Sequence, residues 1–237
     1  MQWLPFTSSL VSLIFAVVVF DQYLARRKPH QLVWSIGFFF YFASTLAEFL
    51  WEAYGANELV YRLWYLTGAI YVAAYLGMGT VYLLASRRKA HITMTVLGLA
   101  SVYALVKVAA APVDVATLTQ LAGTAFPADV RLITPFFNIF GTVALVGGAI
   151  YSAAVFWRKR IMPHRVLSNF LIALGAIMPA FGGTLLRFGV PQPFYFLELA
   201  GIIIIFLGFL RNREVFGLFR VPLVHLLVPA SRSKSAH

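Results

Sequence analysis

Long apolar runs separated by short polar clusters set the pattern of this chain. Seven runs, at about 3–24, 32–54, 60–86, 92–111, 131–157, 165–187 and 193–210, are dominated by Leu, Ile, Val, Phe and Ala. A helix needs roughly 20 such residues to cross a hydrocarbon core of roughly 30 Å, so each run predicts a transmembrane helix. The breaks read RRKPHQ, YGANE, SRRKAH, the 112–130 loop, WRKRIMPHR and FGVPQP. YGANE and FGVPQP are short and predict tight antiparallel hairpins. The expected fold is therefore all-α, a polytopic membrane protein of seven transmembrane helices over residues 1–211. The 212–237 tail carries an apolar stretch interrupted by Pro222 and Pro229. It reads as a cytoplasmic amphipathic segment lying along the inner leaflet.

Composition agrees with that pattern. The 237 residues are 61% hydrophobic and 11% charged, with a mean hydropathy of +0.82. A soluble domain carries about 25% charged residues, so a water-exposed globule is excluded. Cysteine is absent, which removes disulfides, thiol nucleophiles and Cys-ligated metal centres. The first run has its basic cluster, Arg26, Arg27 and Lys28, after the apolar stretch and not before it. That order fits a retained helix with its N-terminus outside.

The net charge of +11 then sorts by side. With the N-terminus out and the C-terminus in, the inner loops and tail hold fifteen basic residues against two acids, and the outer side four against six. The inner clusters are Arg26, Arg27, Lys28; Arg87, Arg88, Lys89; and Arg158, Lys159, Arg160. Such an asymmetry is the positive-inside pattern. The charge therefore calls for no nucleic acid, and these loops are expected to meet anionic inner-leaflet lipids or a partner protein's acidic face. The expected location is a cell membrane, as a multi-pass protein of a bacterial or archaeal inner membrane.

An internal repeat is also visible. RRKPH at 26–30 recurs as RKRIMPH at 158–164, and the same offset of 134 places Tyr54-Gly55 on Phe188-Gly189. With a one-residue gap, Gly68 falls on Gly201. The expectation is a 3+1+3 parallel repeat, with copies at 1–86 and 131–211 joined by a connector helix at 92–111. Parallel repeats are one recurring plan of membrane transporters.

Few residues could carry chemistry. Ionisable side chains within a bilayer mark candidate functional sites. At about 1.5 Å per residue, Glu48 lies roughly 9 Å below the outer end of the second helix, and Glu198 is similarly deep in the seventh. Glu52, Arg62 and Arg187 lie nearer that end, with Trp64, Tyr65 and Tyr195 at the same level. Together they suggest an outward-facing polar and aromatic pocket among helices 2, 3, 6 and 7, taking a cation, proton or amine. The alternative is structural: the acids pair with Arg62 and Arg187 to pin helix ends. Lys107 reads as a snorkelling lysine. Helix 7 has no retinal lysine, and all five histidines fall at the cytoplasmic side, so neither retinal nor an intramembrane haem is expected as cofactor. No HExxH, GxSxG or Walker A motif is present, and no catalytic residue is assigned. Pro135 and Pro179 should kink helices 5 and 6, and Asn138 is the deepest strongly polar side chain of helix 5.

Glu48 late in helix 2 and the run LWYLTGAIY at 63–71 carry a resemblance. The stretch 34–75 resembles the seven-helix sensor region found at the N-terminus of some bacterial histidine kinases. The resemblance implies ligand sensing in the outer leaflet. With no output domain after helix 7, it also implies a partner membrane or signalling protein. The first functional reading is thus a receptor-like or accessory module that binds a small ligand or lipid in its outer pocket. The second is a small-solute, proton or cation transporter or channel built on the 3+1+3 repeat.

Overall fold

The computed structural model describes residues 2–114, 121–158, 163–188, 190 and 193–211, without the side chains of residues 163–165, 187 and 211. These residues fold as α1 (Trp3–Arg26), α2 (Pro29–Tyr54), α3 (Glu58–Leu84), α4 (Arg87–Ala110), α5 (Ala128–Arg158), α6 (Pro163–Arg187) and α7 (Phe194–Arg211). No strand occurs among the described residues. Six of the helices are long and apolar enough to cross a membrane, and α7 adds a shorter apolar stretch, Phe194–Leu210. The chain is a helical multi-pass membrane protein. The expected tail at 212–237, Lys159 and Arg160 lie outside the described residues.

Helix boundaries follow local chemistry more closely than hydropathy does. α2 begins at Pro29 and α4 at Arg87, ahead of the apolar positions 32 and 92. A proline suits the first helical position, where no N–H is needed. Asn57 caps α3, its side-chain oxygen accepting from the N–H groups of Leu59 and Val60. α5 breaks at Leu132, because Pro135 has no N–H to donate to the Arg131 carbonyl and its ring crowds that carbonyl.

Two helices widen locally. Tyr65–Val72 in α3 and Val143–Gly147 in α5 are π-helical. A π segment leaves a carbonyl short of its usual donor. Asn138 of α5 supplies one by donating from Nδ2 to the Ala69 carbonyl at 3.0 Å.

Polarity is inverted relative to a soluble protein. Ser8, Ser12, Thr45 and Glu48 are buried, whereas Ile92, Val96, Leu99, Val102 and Val106 on α4 each expose more than half of their surface. Apolar faces of this extent need lipid around them. With apolar groups outside and in, burial alone does not hold the helices together, and close backbone contact takes over. A Cβ at Gly141 would stand 2.2 Å from the Ala73 carbonyl carbon and oxygen, so α5 lies directly on α3. α6 and α7 cross in the same way, with Gly175 and Gly201 each 2.7 Å from the other's carbonyl by that measure. α1 packs on α2 through Phe15 and Phe38, their rings stacked at 3.7 Å. α4 is peripheral and hangs on Tyr71 and Tyr75, whose hydroxyls donate to the Ser101 carbonyl at 2.5 Å and Oγ at 3.2 Å.

Gly141→Ala is expected to destabilise the folded protein by about 1–3 kcal/mol, because the new methyl has only backbone to move. Gly98, with open space around it, serves as the control, and Gly98→Ala should be neutral or slightly stabilising, by under about 1 kcal/mol. Thermal melts of both variants in the same detergent check the contrast.

Candidate functional site

The acids of helices 2 and 7 meet in the core. Glu48 on α2 and Glu198 on α7 are 1% and 7% exposed, and their carboxyls lie against one another within hydrogen-bonding range. Glu48 Oε1 accepts a hydrogen bond from Trp64 Nε1 of α3 at 2.9 Å. The Oε2 atoms of both glutamates are buried and have no partner. Among the described side chains, no Lys, Arg or His stands against either carboxyl. Two carboxyls in such contact need a shared proton or a cation between them.

The pair opens into a cavity of about 300 Å³ lined from α2, α3, α5, α6 and α7. Tyr41, Trp64 and Tyr65 give it aromatic walls, and Gly68, Gly141 and Gly183 leave it room. Gly68 admits the Ser44 hydroxyl, which would stand 2.1 Å from a Cβ there. The cavity's frame is hydrogen-bonded across helices. The Tyr41 hydroxyl donates to the Glu198 backbone carbonyl at 2.9 Å, and Tyr65 pairs with Thr134 of α5 at 2.8 Å. Tyr195 donates to Glu52 at 3.0 Å beside it.

A short stretch after the 115–120 segment closes over this end. Phe126 is buried, its ring 4.7 Å from that of Tyr65 and 5.2 Å from that of Tyr61. Leu121 and Ala122 line the cavity directly. Gly123 has φ +75 and lies so near Tyr65 that a Cβ would be 2.7 Å from its ring, so glycine is required there twice over.

Of the eight expected pocket residues, Glu48, Trp64, Tyr65 and Glu198 line the cavity, and Glu52 and Tyr195 are joined to each other by a hydrogen bond. Arg62 is placed elsewhere, which corrects the expectation for it. Its guanidinium pairs with Glu58 one turn away and donates to the carbonyls of Val108, Ala109 and Ala111. Those carbonyls end α4 without helical donors, so Arg62 caps that helix. The Arg187 side chain lies outside the described residues. Lys107 does not merely snorkel; it pairs with Asp129 at 2.7 Å, tying α4 to the start of α5. The contribution of α5, through Asn138, Gly141, Thr142 and Leu145, was not expected. Asn138 was the available signal, as an amide deep in an apolar helix. The closing loop carried no comparable signal beyond Gly123 and Phe126.

A second cavity, of about 450 Å³, lies toward the other end of the bundle. Gln22, Arg26, His30, Gln31, Ser152 and Asn169 give it a polar lining. Gln31 Oε1 is buried there without a partner. Among the described residues, three line both cavities: Leu76 of α3, Leu145 of α5 and Ile205 of α7. All three are buried. Around this polar end, Arg26, Arg27, Lys28, Arg87, Arg88, Lys89 and Arg158 are exposed. Among the described residues, no group of three or more His, Asp or Glu side chains stands close enough to hold a metal ion.

The carboxyl contact makes a stability test possible. Glu198→Gln is expected to leave stability unchanged or raise it by about 1 kcal/mol, because an amide donates to Glu48 without a shared proton. A loss beyond about 2 kcal/mol in a thermal melt would instead reveal a counter-cation and restore the ion-pair reading. Trp64→Phe, which strips Glu48 of its N–H donor, is expected to destabilise by about 1–3 kcal/mol. No family model, curated protein or solved structure matches the chain, so its function has to be read from these cavities.

Proposed function

We propose that this protein is a membrane transporter for a proton, cation or small solute, with its path running through the core of the bundle. The observation that carries this reading is the layer shared by the two cavities. Leu76, Leu145 and Ile205 come from three helices and are, among the described residues, all that the two linings have in common. A polar cavity on each side of a thin apolar layer is the arrangement of a closed hydrophobic gate, which keeps water out until side chains part. The carboxyl cavity faces outside and the basic-rimmed cavity faces the cytoplasm, in keeping with the charge asymmetry of the loops.

Two further features support the reading. Both π segments lie on the path: Tyr65, Gly68 and Val72 come from one, Leu145 and Val146 from the other. Such segments recur at functional positions of helices. Under the expected 3+1+3 plan Gly68 and Gly201 are equivalent. Gly68 packs on Ser44, and Gly201 packs on Gly175 and Pro179, each the second helix of its own triplet. A receptor-like module resembling the kinase sensor regions would use the carboxyl cavity but leaves the inner one and the gate without a role.

Leu145→Ala thins the gate, and vesicles carrying it are expected to leak protons and small solutes about tenfold faster than those with the native chain. Glu48→Gln is expected to abolish gradient-driven flux in the native background. Reconstitution with an internal pH dye measures both. If native and Leu145→Ala vesicles stay as tight as empty ones, the transport reading fails and the receptor reading replaces it.

A further inference from the structure

Glu48 and Glu198 each present one carboxyl oxygen, Oε2, that is shut away from solvent and meets no donor. Both side chains are more than nine-tenths buried and line the 300 Å³ cavity. An occupant of that cavity that displaces the shared proton can therefore bring donors to two acceptors at once. It must also fit walls that are otherwise aromatic or small and apolar, among them Tyr41, Tyr65, Ala69 and Val72.

We propose that the outer cavity binds a small apolar ammonium ion, a protonated amine on an aromatic or branched aliphatic body, in exchange for the proton shared by Glu48 and Glu198. The ammonium N–H groups donate to the two Oε2 atoms, and the neighbouring rings take the cation on their π faces. A bare metal cation fits less well, because hard cations need six or more oxygen ligands and this cavity supplies few. A neutral solute would leave the shared proton in place and the second acceptor unanswered.

The exchange balances in charge. In the empty site one proton lies between two carboxyls, leaving a single negative charge. With the ammonium bound, the proton is released to water and the two carboxylates hold one positive charge, again leaving a single negative charge. Keeping the charge of a buried site constant avoids the large desolvation penalty of changing it. Among the described side chains, the titratable groups facing the pair are Glu52 and Tyr41 from α2, Tyr65 from α3 and Tyr195 from α7. None of these is a cation. α5 presents the neutral Asn138, and the described part of α6 presents Pro179 and Thr184.

This inference builds on the transport reading, to which it adds the substrate class and the coupling ion, but binding can be read without flux. Benzylamine is titrated calorimetrically into the full-length protein in detergent at neutral pH, in two buffers of different ionisation enthalpy. The expected result is binding with release of one proton per benzylammonium taken up. Benzyl alcohol, of similar shape but uncharged, is expected not to bind. Glu48→Gln and Glu198→Gln should each weaken benzylamine by roughly thirtyfold or more. Heat that does not depend on the buffer, or benzyl alcohol binding as tightly as benzylamine, overturns the proposal on the native protein alone, whatever the variants' folding. Proton-coupled binding in a protein whose vesicles show no flux would keep this site and remove only the transport reading.

Discussion

A carboxyl group placed in hydrocarbon has to be answered by a donor, a proton or a cation, and this requirement organises the bundle. Glu48 is answered by the Trp64 indole of α3 and by Glu198 of α7. α7 is joined to α2 twice more, through Tyr41 of α2, which donates to the Glu198 carbonyl, and through Tyr195, which donates to Glu52. Every one of these bonds joins α2 to α3 or α7. α2 is therefore the post on which the carboxyl end is assembled, and the entry of α3 and of α7 into the bundle is fixed by where α2 carries its acids.

Packing elsewhere follows from the loss of the hydrophobic effect as an organiser between helices. Glycine crossings bring α5 onto α3 at Gly141 and α7 onto α6 at Gly201, close enough that a single methyl would collide with backbone. Contacts this tight at a few points leave gaps above and below them, since straight or gently curved helices diverge from a close crossing. The two cavities occupy such gaps. The π segments widen the same region, and the Asn138 amide repairs the hydrogen bonding that one of them disturbs. Polar side chains of the core thus serve the backbone as well as each other.

The sequence made the helix count and the boundaries of most spans legible because hydrocarbon thickness imposes a length that composition reveals directly. It also singled out Glu48 and Glu198, since acids inside apolar runs are few. Their meeting was not legible: depth along two helices says nothing of which faces turn together, and that depended on Trp64 and Tyr41. Arg62 shows the opposite error. It shares the depth of the acids, yet its i−4 neighbour Glu58 and the open carbonyls ending α4 draw it to another face. Hydropathy could not show the role of α5 either. Leu145 looks like any other apolar residue until the π segment and the crossing at Gly141 turn it inward.

The cavities divide stability and mobility between different parts of the same helices. At the carboxyl end, hydrogen bonds fix α2, α3 and α7 relative to one another. At the shared layer, Leu76, Leu145 and Ile205 belong to one buried apolar cluster and present branched aliphatic side chains, whose separation breaks no hydrogen bond of their own. The backbone there is not free throughout, because the Leu76 carbonyl accepts from Trp34 of α2 at 3.0 Å. Leu145, by contrast, stands within the widened turn of α5, where a change of helical register moves the side chain without unfolding the helix. Of the three, α5 is also the helix that contributes no bond to the carboxyl pair itself. An opening of the proposed gate therefore has a route in the widened turn of α5 beyond the crossing at Gly141, with the α2–α3–α7 frame holding the carboxyls in place while Leu145 withdraws.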